Sequence, residues 1–218
     1  MEAVKELYNQ VPFTNYDTDY SVLLKSLRKS KNELALLFKD KTAIEVGCGG
    51  GQISMCLSRY FKHVTAVDMS ENSISAARQE SSKRRIKNIS FFVADLFDEK
   101  FISDFSDKFD YVMCYGVLHH TKDPALGYKN LLKLLKPGGI ITVGLYSAIG
   151  LLNYRLQRKI VLALAGNNWQ KREDIANKLF FNNRGKKVAI YDGYVHPQVS
   201  FHHINQIFGW IRKTIWNM

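Results

Sequence analysis

The sequence predicts an α/β protein built on an open, doubly wound, mostly parallel sheet with helices on both faces. Three features predict it: five short runs rich in Val, Ile and Phe recur between residues 42 and 147, amphipathic segments separate them, and the first run ends in a glycine cluster. Each run is nearly continuous in apolar residues rather than alternating, as strands covered on both faces of a parallel sheet are. Repeated β-α-β units give such a sheet a ligand crevice beyond the carboxyl ends of its strands.

Taken in order, residues 7–16 are aromatic and broken by Pro12, which reads as irregular chain, and residues 19–38 carry Tyr20, Leu23, Leu24 and Leu27 at helical spacing. The strands fall at residues 42–46, 64–67, 89–94, 111–115 and 140–145. Helices are expected at 52–61, at 70–85 with Ser70 as N-cap, and at 124–136, closed by Pro137-Gly138-Gly139. In the last of these, Tyr128, Leu131, Leu132 and Leu135 follow i, i+3, i+4, i+7 and face the sheet. Beyond the fifth strand, residues 151–165, 171–181 and 204–213 read as helices, and 191–201, with Gly193 and Pro197, as a loop.

Composition narrows the class. A chain of 218 residues, 46% hydrophobic and 23% charged, is too apolar for disorder and sits in the range of one globular domain. No stretch approaches the ~18 consecutive apolar residues of a membrane span. The first residues lack the basic-then-apolar order of a secretory signal. Cys48, Cys56 and Cys114 cannot all pair and show no C-x-x-C spacing, which points to a reducing cytoplasm and to neither a disulfide nor a zinc framework. The net charge of +11 is uneven: residues 1–146 carry 20 Lys/Arg against 17 Asp/Glu, residues 147–218 carry 11 against 3. That basic last third is either a solvated surface or an attractor of phosphates, an anionic surface or an anionic small substrate.

The strongest local signal is Ile44-Glu45-Val46-Gly47-Cys48-Gly49-Gly50-Gly51-Gln52-Ile53-Ser54, a strand running into a glycine turn. Glycines there allow positive φ and let a ligand approach the backbone; a plain tight turn is the alternative. The spacing is G-x-G-x-G at Gly47, Gly49 and Gly51, with Gln52 where a dinucleotide fingerprint requires glycine, which weakens a nicotinamide or flavin reading. Three acids then fall at successive strands: Glu45 in the first, Asp68 closing the second, Asp95 closing the third. A carboxylate after the second strand suits a vicinal ribose diol, Asp95 suits an exocyclic amine, and Met69 and Leu96 supply apolar surface for a purine. For any one acid, capping the following helix is the competing role.

These motifs together resemble class I S-adenosylmethionine-dependent methyltransferases, in particular the small-molecule branch. The resemblance runs over IEVGCGGGQIS, VTAVDMSENSI, FFVADLFD, FDYVMCYGVLHHTKDP and LLKLLKPGGIITVGLYS, from residue 44 to residue 147. It implies a Rossmann-like core at 42–147, an N-terminal lid segment and helix at 1–41, and a helical substrate-side region at 148–218. It implies that Gly47, Gly49 and Gly51 contact the methionine part of the cofactor, that Glu45 and Cys48 also bind the cofactor, and that Cys114 to Val117, Tyr115 among them, meet its methionine side through backbone. Asp68 would hold the ribose, Met69 and Leu96 the adenine faces and Asp95 the adenine amine. The segment from Tyr8 to Phe13 resembles a lid over the cofactor. The family's sheet usually continues with two further strands, the last antiparallel. Here only residues 214–218 follow the last helix, so the sheet is expected to lack them, to be completed by another subunit, or to begin a vestigial strand at 214–216, and an exposed edge invites self-association.

The sulfonium cofactor implies in-line displacement without a covalent enzyme intermediate. His119 or His120, just past the fourth strand, is the candidate general base; shaping the pocket is the other role open to the pair. Cys48 and Cys56 read as buried apolar residues. Tyr16, Arg155, Tyr194 and His196 are the candidate substrate-side residues, and Arg155 with Arg158 and Lys159 would suit an anionic acceptor if not simply solvated. No carboxylate or Cys spacing accompanies His196, His202 and His203, so no metal site is expected. Two other functions compete with a small-molecule methyltransferase. An RNA or tRNA methyltransferase is favoured by the charge but opposed by Cys114-Tyr115-Gly116-Val117 where an Asn-Pro-Pro-Tyr-like grip on a flipped base would stand. The third is a non-catalytic, cofactor-binding partner protein.

Overall fold

The structure, a computed structural model, describes residues 2–10, 31–184 and 186–215. Two helices, α1 (Glu2–Gln10) and α2 (Lys31–Phe38), precede the alternating series β1 (Thr42–Val46), α3 (Gln52–Leu57), β2 (His63–Asp68), α4 (Glu71–Lys83), β3 (Ile89–Val93), α5 (Glu99–Phe105), β4 (Phe109–Tyr115), α6 (Pro124–Leu134) and β5 (Leu135–Gly144). Helices α7 (Leu152–Ala165), α8 (Trp169–Phe180), α9 (Lys187–Ile190) and α10 (Ile204–Ile215) follow.

The strands form one parallel sheet in the order β3-β2-β1-β4-β5. The chain builds outward from β1 to β3, then returns to the other side of β1 for β4 and β5. The order therefore reverses between β1 and β4, and the crevice of a doubly wound sheet opens at that switch point.

The period of two along each strand sorts the core into two layers. Ala43, Val64, Tyr111 and Met113 pack with Leu34 and Phe38 of α2 and Ile53 and Leu57 of α3, and Ala66 and Phe91 pack with Ile74 and Ala77 of α4. Ile44, Val46, Val67, Val112 and Cys114 face the opposite way, onto Phe101 and Ile102 of α5 and Leu131 and Leu134 of α6. Burying each such side chain contributes about 1.5–3 kcal/mol, so a sheet dressed on both faces is where this apolar content places the chain. Local signals start the helices: Ser70 Oγ accepts the Ser73 N–H at 3.2 Å, Asp123 Oδ1 the Leu126 N–H at 2.9 Å, and Asn168 Oδ1 the Lys171 N–H at 2.9 Å.

Several local expectations change. Residues 7–10 belong to helix α1 rather than to irregular chain, because Leu7 turns into a satellite core with Val161, Ala176 and Tyr194; residues 11–30 lie outside the described residues. Helix α3 ends at Leu57 instead of 61, since Tyr60 and Phe61 fold back into the core. Strand β5 begins at Leu135, before Pro137-Gly138-Gly139. A register shift between Phe109 and Tyr111 of β4 absorbs that segment, where Gly138 takes φ +77°. Helix α5, capped by Asp98, is one the periodicity did not single out. Thr214 and Ile215 extend α10 rather than start a strand. Among the described residues no helix is long and apolar enough to cross a membrane.

Candidate active site

The turn after β1 is a product of its glycines. Gly47 sits at φ +77° and donates to Val67 O at 2.7 Å, and a Cβ built on it would lie 2.2 Å from Val117 Cγ2. No side chain fits there, so bare backbone faces the crevice. Gly51 serves packing instead: at φ +80° its missing Cβ leaves room for Phe91 and Ala77, at 3.0 and 3.1 Å.

Asp68, at the end of β2, ties that turn to the next helix. Its Oδ2 accepts the Gly49 N–H at 2.8 Å and its Oδ1 the Ser70 N–H at 2.9 Å. Burial raises its pKa against the pull of those bonds. Each oxygen keeps a second lone pair for a ligand. Glu45 is buried in the same floor, accepts from the Ser54 hydroxyl, and is pushed up to about 8 by burial. Asp95 Oδ1 accepts the Phe97 N–H at 3.0 Å, so it caps its turn while also lining the crevice.

These groups wall a cavity of about 340 Å³. Glu45, Gly47, Cys48, Gly49, Asp68, Met69, Asp95, Leu96 and Tyr115 all line it. Among the described residues, three aspartates, Glu45 and one histidine face it, and no Lys or Arg does. Such a wall favours cationic and neutral guests over anions. Val4 and Tyr8 of α1 close one side. That helix is held on α4 by Ser70 Oγ donating to Asn9 Oδ1 at 2.7 Å and Asn72 Nδ2 donating to Asn9 O at 2.8 Å.

The far end of the cavity is built by residues remote in sequence. His120 and Thr121 follow β4, Tyr146 follows β5, and Asp192 comes from the π-helical turn Tyr191–Val195. His120 Nδ1 lies 2.9 Å from Gln198 O and its Nε2 3.1 Å from Asp192 Oδ1; the Tyr146 hydroxyl donates to Asp192 Oδ2 at 2.5 Å. Burial works to raise the Asp192 pKa, but the hydrogen bonds from His120 and Tyr146 outweigh it and hold the group at about 2. Two buried arginines fix the turn itself. Arg158 donates to Gly193 O at 2.7 Å and His196 O at 2.6 Å, and Arg172 to Val195 O at 3.0 Å.

Other predicted residues lie elsewhere. His119 is buried behind the wall with its ring stacked 3.8 Å from that of Tyr146, and burial lowers its pKa to about 3. Neither histidine is therefore placed as a free base, since both His120 nitrogens face acceptors and His119 does not line the cavity. His196 backs His120 at 3.9 Å between ring centroids, and Tyr194 is buried in the satellite core with its hydroxyl donating to Gln157. Arg155 donates to Ala148 O and covers the Phe201 ring, and Arg158 is the turn clamp above, which removes both from an anion-binding role at the cavity. Cys114 is buried between sheet and helices rather than in the wall, Gly51 packs as described, and Tyr16 lies outside the described residues. Tyr146 and Thr121 were not among the sequence candidates. Asp192 belongs to a polar, aromatic loop, with Tyr191, Tyr194, His196, His202 and His203, that resembles a substrate-side segment of some family members, but nothing local ties it to His120.

Comparison with known proteins agrees with this architecture. A family model described as a methyltransferase domain matches residues 37–193. The chain is 33% identical over 117 residues to a ubiquinone biosynthesis O-methyltransferase of Coxiella burnetii, covering 54% of this chain and 48% of the relative. It is 27% identical over 194 residues to an uncharacterised Synechococcus protein, covering 78% and 46%. The chain thus spans about half the length of these curated relatives. Among solved structures, PKMT2 from Rickettsia typhi in complex with AdoHcy superposes with a TM-score of 0.64 at 17% identity, over 89% of this chain and 42% of that one. The PH0226 protein of Pyrococcus horikoshii gives 0.51 at 27%, over 72% and 69%. With a family match over most of its length and a doubly wound parallel sheet beneath it, the chain belongs to the class I S-adenosylmethionine-dependent methyltransferases.

Proposed function

We propose that this chain moves a methyl group from S-adenosylmethionine to a small-molecule acceptor within the cavity. The observation that carries the reading is the continuity of one cavity from the Gly47 turn and Asp68 to the His120, Tyr146 and Asp192 end, which gives cofactor and acceptor a shared cleft. The cofactor supplies an electrophilic methyl group on a sulfonium. The chain's residues bind, align and keep out water. Asp68 holds the ribose diol through its free lone pairs; Met69 and Leu96 cover the adenine, whose amine meets Asp95. The bare backbone at Gly47 and Gly49, with Glu45 and Cys48 beside it, receives the methionine part, and Tyr8 closes over it.

The name of the Coxiella relative speaks for an oxygen acceptor on a small molecule. The basic residues of the last third do not line the cavity, and Arg158 and Arg172 are spent on backbone carbonyls, which speaks against a nucleic-acid or anionic acceptor. Calorimetric titration with S-adenosylhomocysteine, with light scattering on the same sample for the assembly state, tests the reading. Micromolar binding is expected; absence of binding in a monodisperse, folded sample rejects it.

A further inference from the structure

His120 and Asp192 lie 72 positions apart and meet in the cavity wall. The two groups facing the imidazole are the Gln198 carbonyl and the Asp192 carboxylate, at 2.9 and 3.1 Å. Both are acceptors, so the protonated nitrogen of the ring donates to one of them. Tyr146 donates to the other carboxylate oxygen at 2.5 Å, and two donors keep Asp192 ionised. The pair is not presented evenly. The His120 side chain is 3% exposed and that of Asp192 23%, so the carboxylate is the more open member of the pair.

We propose that Asp192 is the acceptor-binding group of this site, taking a neutral acceptor through a hydroxyl that donates to its carboxylate and turning away acceptors that carry a carboxylate or phosphate. The inference rests on the methyltransferase reading above. An anion entering the cavity would meet Asp68, Asp95 and Asp192, with no Lys or Arg among the described residues of the wall. A protonated amine would be attracted but has no lone pair with which to attack. The Tyr8 and Tyr146 rings beside Asp192 suit a planar acceptor. In the transfer, the acceptor oxygen bonds to the methyl carbon as the carbon–sulfur bond breaks, the electron pair stays on sulfur, and the hydroxyl proton passes to Asp192 and then to water. A carboxylate with two donors already on it is a weak base, so it orients the hydroxyl first and takes the proton late. Among the described residues, the other ionisable groups near Asp192 are His119, His196, Tyr8, Tyr154 and Arg158, and burial keeps the tyrosines neutral.

The test uses the full chain saturated with S-adenosylhomocysteine, with phenol and benzoate as planar probes that differ in charge, and the variant Asp192→Asn. Phenol should bind the wild type at least ~10-fold more tightly than benzoate does, and at least ~10-fold more tightly than it binds Asp192→Asn, the loss of a hydrogen bond to a charged group. Affinity for S-adenosylhomocysteine should stay within about twofold in the variant. Benzoate binding as well as phenol, no phenol binding, or equal phenol binding by both proteins overturns the assignment. The wild-type comparisons need no variant and stand even if Asp192→Asn fails to fold. Failure of the wild type to bind S-adenosylhomocysteine rejects the methyltransferase reading instead.

Discussion

Gly47 and Val117 meet so closely that a Cβ on the glycine would lie 2.2 Å from Val117 Cγ2, which joins the turn after β1 to the turn after β4 at the switch point of the sheet. Two separate costs follow for Gly47→Ala: the clash, and a φ of +77° that a side chain resists by about 1–2 kcal/mol. Urea denaturation of Gly47→Ala and of Gly47→Ala with Val117→Ala separates them. The double variant should recover part of the stability and keep a deficit of about 1–2 kcal/mol from φ alone. Full recovery would show that backbone conformation at Gly47 is unstrained by a side chain.

Asp68 accepts from two backbone N–H groups, one on each side of the cavity floor. Asp68→Ala should weaken S-adenosylhomocysteine binding by about 1.5–3 kcal/mol, roughly ten- to a hundredfold, as read by calorimetry. Circular dichroism on the same samples separates a lost ligand bond from a loosened turn. Unchanged affinity in a folded variant removes the ribose role.

Glu45 links stability to pH. Burial raises its folded pKa from 4.5 to about 8, so the folded state keeps a proton that the unfolded chain has released. The contribution of Glu45 is complete below the unfolded value and is lost as pH rises through the folded one. Wild-type stability should therefore fall relative to Glu45→Gln by up to about 1.4 kcal/mol per pH unit between these values. Parallel stability curves for the two proteins from pH 5 to pH 8 would contradict a buried, protonated Glu45.

Asn9 holds α1 against the start of α4 through its side chain and its carbonyl, and the same helix brings Tyr8 to the cavity. Asn9→Ala removes the bond to Ser70 Oγ, worth about 0.5–1.5 kcal/mol. Stopped-flow dissociation of S-adenosylhomocysteine should be faster by roughly threefold to tenfold, with the global unfolding midpoint little changed. An unaltered dissociation rate would mean that α1 does not retain the ligand.

The sheet was legible in the sequence because its causes are local. Continuous apolar runs such as those containing Ile44 and Val112 fit only strands buried on both faces, and Ser70 and Asp123 cap helices through atoms two or three residues away. Strand onset was less legible where long-range pairing intervened. Leu135 joins the sheet ahead of Pro137 because Phe109 of β4 offers it a partner across a register shift, which no window of sequence contains. Leu7 is helical for the same reason, its burial against α7 and α8 fixing a segment that the local sequence leaves irregular.

By itself, then, the sequence determined the α/β class, the strand sites, the glycine turn and the row of Glu45, Asp68 and Asp95 that faces the cavity. Each follows from periodicity or from a residue's own backbone preference, and these act over a few positions. Tertiary structure alone decided the other end of the site. It turned Arg158 and Arg172 inward as clamps on backbone carbonyls, set His119 behind the wall, and brought Asp192 to His120 and Tyr146. Hydrogen-bond partners of buried polar groups are chosen by which segments pack together. A charge that reads as surface in the chain can therefore become a structural clamp in the fold, and a carboxylate in a loop with no partner in sequence can become the anionic edge of the cavity.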